Sequence, residues 1–523
     1  MTLQVHLVPL SSTQSSATLL AVVLGSEVPE EVSVEIVDSS DSERALPNAT
    51  LSEWRVFEAN ANTFTWARCT LDGLEPNTCI DVTARAGGHG AGPPARVTAL
   101  PAADSTEMNL VVGSCFEPTA ATAPGWGAAC ADACSPFGNE PFQQFWLGDQ
   151  VYVDAPWKAG FKKRDAAEFV AGKYLEAWGI ADGHSPAEMF AHTLRRSSNR
   201  FLADDHEFWN GYPRLSWMTM FGPAMQQLMK LAPRVLPVGR RHHLHPSSEG
   251  QWGAAAGEAF AIFQSTVEFE QFDSDVSPDP IQELDFANHR ILMVDTRWCR
   301  SMLRKGKRAS FMSDDALQNL IKRLDTDKLV IVMISKPLVG YPPKGQSRWS
   351  LEAGPENYIR QYTELCAAVF GRAERKLPTV VLAGDVHFHA VRTAGSGHVL
   401  EIVTSAMSML DPQGKFVLAI RWLKDSIAKL TKRGDVSDVS YPQFSADGSW
   451  ELAAGHAYRG RGTEGDEPLQ SAATSLRLNT ADPTAPRISY RCVPVQAAES
   501  ARTEADELHF RWDPTSGWEL LSA

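Results

Sequence analysis

Four apolar runs in this 523-residue chain stop at residues of the types that can hold metal ions or phosphate. "VVGSC" ends at Ser114-Cys115 and "FWLGDQVY" at Asp149 and Tyr152. "ILMVDTRWCR" ends at Asp295, Arg297 and Arg300, and "VVLAGDVHFH" at Asp385, His387 and His389. A further segment, "ADDHEFWN", crowds Asp204, Asp205, His206, Glu207 and Asn210 together. One Gly-Asp at a strand end is ordinary turn chemistry. Clustered like charges, by contrast, are unfavourable without a cation. Ligands of open α/β sheets bind beyond the carboxyl ends of the strands, which is where these side chains fall. Oxygen- and nitrogen-rich sets suit Fe³⁺, Mn²⁺, Zn²⁺, Mg²⁺ or Ca²⁺. Two ions about 3.5–4 Å apart can clamp a phosphoryl oxygen and generate a hydroxide near neutral pH. A phenolate ligand such as Tyr152 favours trivalent iron.

The elements that must present these tips change character along the chain. Residues 1–104 contain short β-rich runs ("TLLAVVL", "VSVEIVD", "TFTWARCT", "CIDVTARA", "ARVTAL") between turn residues, the pattern of a small β-sandwich. A Gly/Pro/Ala-rich stretch marks a boundary near 100–107. From there to 440, continuous apolar strands alternate with helical patterns, which implies α/β layering with strands covered on both faces. Helix starts are readable in "SPAE" at 185–188, a capping box, and in "SDDALQNLIKRL" from 313, which places Leu317, Leu320, Ile321 and Leu324 on one face. "PENYIRQYTELCAAVF" predicts a further helix before the strand at 378. Residues 213–265 read as a helical insertion and 416–434 as an amphipathic helix. Residues 441–523 return to strands and a tail packed on the catalytic domain.

Bulk properties remove several classes of function. The formal net charge is −14, which argues against a nucleic-acid binder led by phosphate contacts. No apolar run is long enough to span a bilayer. The N-terminal text lacks the basic start and apolar core of a signal peptide, so the chain as given reads as cytoplasmic, or as secreted or periplasmic if a leader has been removed. Eight cysteines are too few for a disulfide scaffold; Cys69 and Cys79 are placed to pair across two strands, while free buried thiols are the simpler reading. Cys130 and Cys134 have no second pair to complete a zinc site. "RRHHLHP" at 240–246 reads as a solvated or entrance loop. No Gly-rich phosphate loop, G-x-S-x-G elbow or H-E-x-x-H is present.

"GSC", "GDQVYVD", "DDHE", "DTR" and "GDVH", in that order, resemble the alkaline phosphatase D (PhoD-like) family of metallophosphatases over residues 108–408. The resemblance implies an α/β fold: a four-layer αββα metallophosphoesterase core behind an N-terminal β-sandwich of fibronectin type III-like character. It implies a multinuclear centre, Fe³⁺ with Ca²⁺, other divalent metals being alternatives, and a metal-bound hydroxide that hydrolyses a small phosphate ester. A phosphomonoesterase is the first expectation. A phosphodiesterase or phospholipase-like activity, or a degenerate relative that binds metal or phosphate without turnover, are the alternatives. Carried over by motif, Asp149 is the bridging carboxylate, Tyr152 an iron phenolate and Cys115 an iron thiolate. Asp205 and Asn210 compete for one ligand position. Asp385 goes to the second metal and His387 to the first. His206 contacts the phosphate or protonates the leaving oxygen, and Arg297, with Arg300, serves as a phosphate or supporting partner. The chain departs from the pattern after "GSC", at Gly211, and before "GDVH", where "VIVMISKP" has only Ser335 and Lys336 in place of an additional His ligand. These departures leave the number and identity of the metals open.

Overall fold

Strand Leu329–Ile334 is apolar at every position because each of its faces meets a different core. Leu329, Ile331 and Met333 point into one cluster, and Val330, Val332 and Ile334 into another. The same alternation holds in strand His289–Val294, with Ile291 and Met293 against Leu292 and Val294, and in Thr379–Ala383. The computed structural model describes residues 4–38, 46–87, 91–116, 137–138, 140–153, 165–180, 190–208, 251–265, 279–297, 310–338, 355–385, 390–404, 436–444, 450–458, 472–494 and 506–522. Over these residues the fold is mixed α/β, with several sheets and few helices.

Two large sheets carry the polar strand tips. The first has the order β11-β10-β9-β20-β21-β22-β23. Its strands β9 (Glu107–Gly113), β10 (Gln143–Leu147) and β11 (Asn199–Leu202) are mutually parallel. Strand β20 (Ala472–Asn479) pairs antiparallel with β9, and β21 (Arg487–Pro494), β22 (Asp506–Asp513) and β23 (Gly517–Ser522) follow. Strands from residues 472–522 thus form the far half of this sheet. The second sheet has the order β12-β13-β14-β15-β17-β16-β19-β18, where β12 is Ile281–Asp285, β16 Ala390–Ala394 and β19 Trp450–Tyr458. Within it β13 (His289–Val294), β14 (Leu329–Ile334), β15 (Thr379–Ala383) and β17 (Val399–Val403) run parallel. Strand β18 spans Val436–Phe444.

One apolar core joins the two sheets: Leu110, Val112, Phe145 and Leu147 from the first meet Ile331, Met333, Leu382 and Ile402 from the second. The far face of the second sheet is covered by helices Asp314–Leu324 and Pro355–Glu374. Helix Asp314–Leu324 forms where its text predicts. The Ser313 side chain accepts from the Ala316 N–H, Asp314 and Asp315 lie in the first turn, and Leu317, Leu320 and Leu324 are buried. Helices Ala166–Ala177 and Gln251–Phe263 cover the far face of the first sheet around Trp146 and Phe201.

Strands from the first hundred residues make two smaller sheets that enclose one apolar core between Leu19, Ala21 and Cys69 on one side and Ile80, Val82 and Val97 on the other. The opposite face of the five-stranded member, with Leu20, Val22, Phe64 and Trp66, packs on the helices Ala166–Ala177 and Gln251–Phe263. Cys69 and Cys79 carry free thiols. Among the described residues, no helix is long and apolar enough to cross a membrane. The capping box at 185–188, the segment 240–246, Cys130, Cys134, the proposed helix 416–434 and most of the 213–265 insertion lie outside the described residues.

Candidate metal centre

The parallel strands of both sheets end at one place. Gly384, just past β15, lies so close to the tips of β9 and β10 that a Cβ there would sit 2.8 Å from the Leu147 carbonyl oxygen and 2.8 Å from Ser114 Cβ. Gly148, just past β10, has φ +97°, and a Cβ on it would collide with Cβ of Asp204. Neither position has room for a side chain. The residues that follow are twisted into the left-handed region although none is glycine: Cys115 at φ +57°, Asp149 at +59° and Asp385 at +67°. Such a conformation costs an L-residue roughly 1–2 kcal/mol, and it turns each side chain toward the common centre.

Glu207 ties these turns together. Its carboxylate accepts the backbone N–H groups of Asp149 (3.0 Å), Gln150 (2.6 Å) and Asp204 (2.9 Å), with the Gln264 amide at 3.5 Å. Gln264 also donates to Gln150 Oε1 (3.0 Å) and accepts from the Tyr174 hydroxyl (2.8 Å). Gln264 follows the helix Gln251–Phe263, whose last carbonyls at Ala261 and Ile262 accept from the Arg68 guanidinium at 2.9 and 2.8 Å. Arg68 belongs to strand β6 (Phe64–Asp72), so the N-terminal sheet reaches the centre through one helix end.

Inside this frame lies a dense set of donors. Ligating atoms of Asp149, Asp205 and His206 all fall within 4.8 Å of one another, as do those of Asp149, Asp204, Asp205 and Asp385. Asp149 Oδ1 accepts the His206 backbone N–H (3.1 Å), and its Oδ2 faces the Tyr152 hydroxyl (3.5 Å) and the Cys115 thiol (3.7 Å). The Tyr152 and His206 rings lie 4.2 Å apart between centroids. Two permanent cations enter from the second sheet. Arg297 bonds Asp204 directly and reaches Asp205 at 3.2 Å, and Lys336 bonds Asp385.

Burial sets the electrostatics. Desolvation lifts the carboxyl pKa of Asp149 well above the usual carboxylate range, against the pull of His206, and it lifts that of Asp204 against the pull of Arg297. Burial also lifts the Cys115 thiol and the Tyr152 phenol well above their ordinary values, and nearby carboxylates add to both. Asp385 is the exception: burial opposes its ionisation, but the Lys336 ammonium holds it below the ordinary value. Among the described residues, Asp204 Oδ2 is buried without a hydrogen-bond donor. Four carboxylates, a thiol and a phenol thus share a dry site in which added positive charge would stabilise the ionised forms.

Seven of the residues singled out from the sequence come together here: Cys115, Asp149, Tyr152, Asp205, His206, Arg297 and Asp385. Arg297 is fully buried against the Asp204 and Asp205 carboxylates. Asn210, Arg300 and His387 lie outside the described residues. Three contributors carried no assigned role in the sequence reading. Asp204 and Glu207 were visible as the outer letters of "DDHE". Lys336 was visible only as a polar residue after an apolar run. No family model and no curated protein matches the chain.

Proposed function

We propose that this cluster is the metal centre of a phosphoric-ester hydrolase, with phosphomonoesters as its first substrate class. The observation that carries the reading is the meeting of Asp149, Asp205, His206 and Asp385 in one buried cluster, with Cys115 and Tyr152 on Asp149, at the strand tips of two facing sheets. The helix-covered faces of those sheets support a four-layer αββα core of metallophosphoesterase type. The paired small sheets before it support a fibronectin-like β-sandwich, in keeping with the resemblance to alkaline phosphatase D-like enzymes.

The donor set fits a metal. Cys115, Tyr152 and Asp149 form a corner suited to Fe³⁺; the Asp204, Asp205 and Asp385 oxygens are of the kind a hard divalent ion such as Ca²⁺ takes, with Arg297 and Lys336 already bonded to them. A bound ion would supply Lewis acidity, neutralising phosphoryl oxygens and making a water nucleophilic near neutral pH. The protein's own groups do the rest. Arg297 fixes the Asp204 and Asp205 carboxylates. The Glu207 hydrogen bonds hold the Asp149 and Asp204 backbones so that little reorganisation accompanies the reaction. His206 lies at the same centre with its ring against Tyr152, where it can bind a phosphoryl oxygen or protonate the departing alkoxide.

The test is hydrolysis by the purified full chain, loaded with Fe³⁺ and Ca²⁺, of p-nitrophenyl phosphate beside bis-p-nitrophenyl phosphate. The monoester is expected to turn over faster. Faster diester turnover would move the substrate class, and hydrolysis of neither would remove the enzymatic reading.

A further inference from the structure

Lys336 follows strand β14 and is 5 % exposed, and its ammonium lies against the Asp385 carboxylate. A buried lysine in a carboxylate cluster is itself a cation in a site built for cations. Its position can be located by following the charges around the centre. Arg297 is bonded to Asp204 and Asp205, and Lys336 to Asp385. Asp149 faces the His206 backbone N–H, the Tyr152 hydroxyl and the Cys115 thiol, and among the described residues no Lys or Arg is bonded to it. Among the described residues the guanidinium and the ammonium thus sit on Asp204, Asp205 and Asp385, and Asp149, beside His206, is where an added cation would meet the groups that make the best iron corner. On the Asp385 side a fixed positive charge is already installed.

Geometry makes this placement hard to avoid. Asp385 stands in the left-handed conformation at φ +67° directly after Gly384, which has no space for a Cβ, so the backbone that presents its carboxylate is fixed where the two sheets converge. Lys336 leaves the adjacent parallel strand at the same level, one step beyond Ser335, whose hydroxyl lies 3.4 Å from that of Thr296. A second ion at Asp385 would have to displace the ammonium or share the carboxylate with it at close range, and like charges in a dry site repel strongly.

We propose that the centre takes one tightly held metal per chain, on the Asp149 side, and that the Lys336 ammonium serves as the second cation of the site, beside Asp385. The proposal rests on the metal-centre reading above and replaces its second ion with a side chain. An ammonium carries one charge and donates hydrogen bonds, so it would bind a phosphoryl oxygen as a point charge and not as a Lewis acid.

Metal stoichiometry decides the matter independently of activity. The full chain is loaded with excess Mn²⁺, desalted and analysed for metal, as wild type, Lys336→Met and Lys336→Arg, with folding checked by circular dichroism. The wild type is expected to retain one equivalent. Lys336→Met, which frees Asp385, is expected to retain two, and Lys336→Arg one. Two or more equivalents in the wild type would overturn the proposal while leaving the metal centre intact, and this result does not depend on any variant folding. A folded Lys336→Met that stays at one equivalent would also overturn it. No retained metal in the wild type would remove the metal-centre reading and this proposal together.

Discussion

Glu207→Gln is a one-atom change at a residue that, in this account, holds the centre together without binding a metal. The carboxylate accepts from Asp149 N and Asp204 N through one oxygen and from Gln150 N and the Gln264 amide through the other. An amide keeps one oxygen, so one pair of donors must face an NH₂ group. Hydrogen bonds to a charged acceptor are worth about 1.5–3 kcal/mol each. Losing two would cost about 3–6 kcal/mol, a large share of the roughly 5–15 kcal/mol that separates a folded domain from its unfolded chain. The same bonds hold Asp149 and Asp204, so metal retention should fall with stability. Urea unfolding at pH 7 with metal analysis of the same samples reads both quantities. A variant within about 1 kcal/mol of wild type, with undiminished metal, would refute the claim that Glu207 organises the two turns.

Three further perturbations probe the frame around the site. Gly384→Ala places a methyl group against the Leu147 carbonyl and Ser114, and should cost about 1–3 kcal/mol of stability while lowering metal retention, read by thermal melting and metal analysis. Arg68→Met keeps the buried stem but removes the donors to Ala261 and Ile262; it should cost about 3 kcal/mol and speed amide exchange in 251–265, whereas unchanged exchange would disconnect the N-terminal sheet from the centre. His289 is buried, and burial, with Lys328 nearby, lowers its pKa to about 4 from 6.5. The unfolded chain binds its proton first, so His289 contributes stability that is complete above pH 6.5 and is lost as pH falls toward 4. That contribution is about 3 kcal/mol. His289→Phe should therefore lose less stability than wild type between pH 7 and pH 4.5 in urea unfolding, and an identical loss would contradict the assignment.

The parts of the fold that were legible in the sequence are those decided locally. Helix Asp314–Leu324 announces itself through Ser313, two following aspartates and leucines at helical spacing, and it forms with those contacts. The apolar runs that became β13, β14, β15 and β17 are legible because strands covered on both faces need no polar positions. Polar residues at the ends of such runs pointed to one sheet edge, and Cys115, Asp149 and Asp385 do stand there in strained conformations. What escaped the sequence depends on contacts between distant segments. Glu207 earns its role from backbone N–H groups more than fifty residues away, and Lys336 from a carboxylate forty-nine residues on. The entry of β20 beside β9 joins segments separated by most of the chain, and no periodicity in either strand records its partner. Gly148 and Gly384 look like turn glycines in the text, and only the convergence of two sheets shows why no side chain fits.

In the proposed function Asp149 anchors a metal on which hydrolysis depends. The most direct measurement compares wild type and Asp149→Asn, each purified, dialysed and analysed for bound metal, then assayed with p-nitrophenyl phosphate. The wild type is expected to retain metal and hydrolyse the ester, and a folded variant to do neither. A folded Asp149→Asn with full metal content and full activity would contradict it.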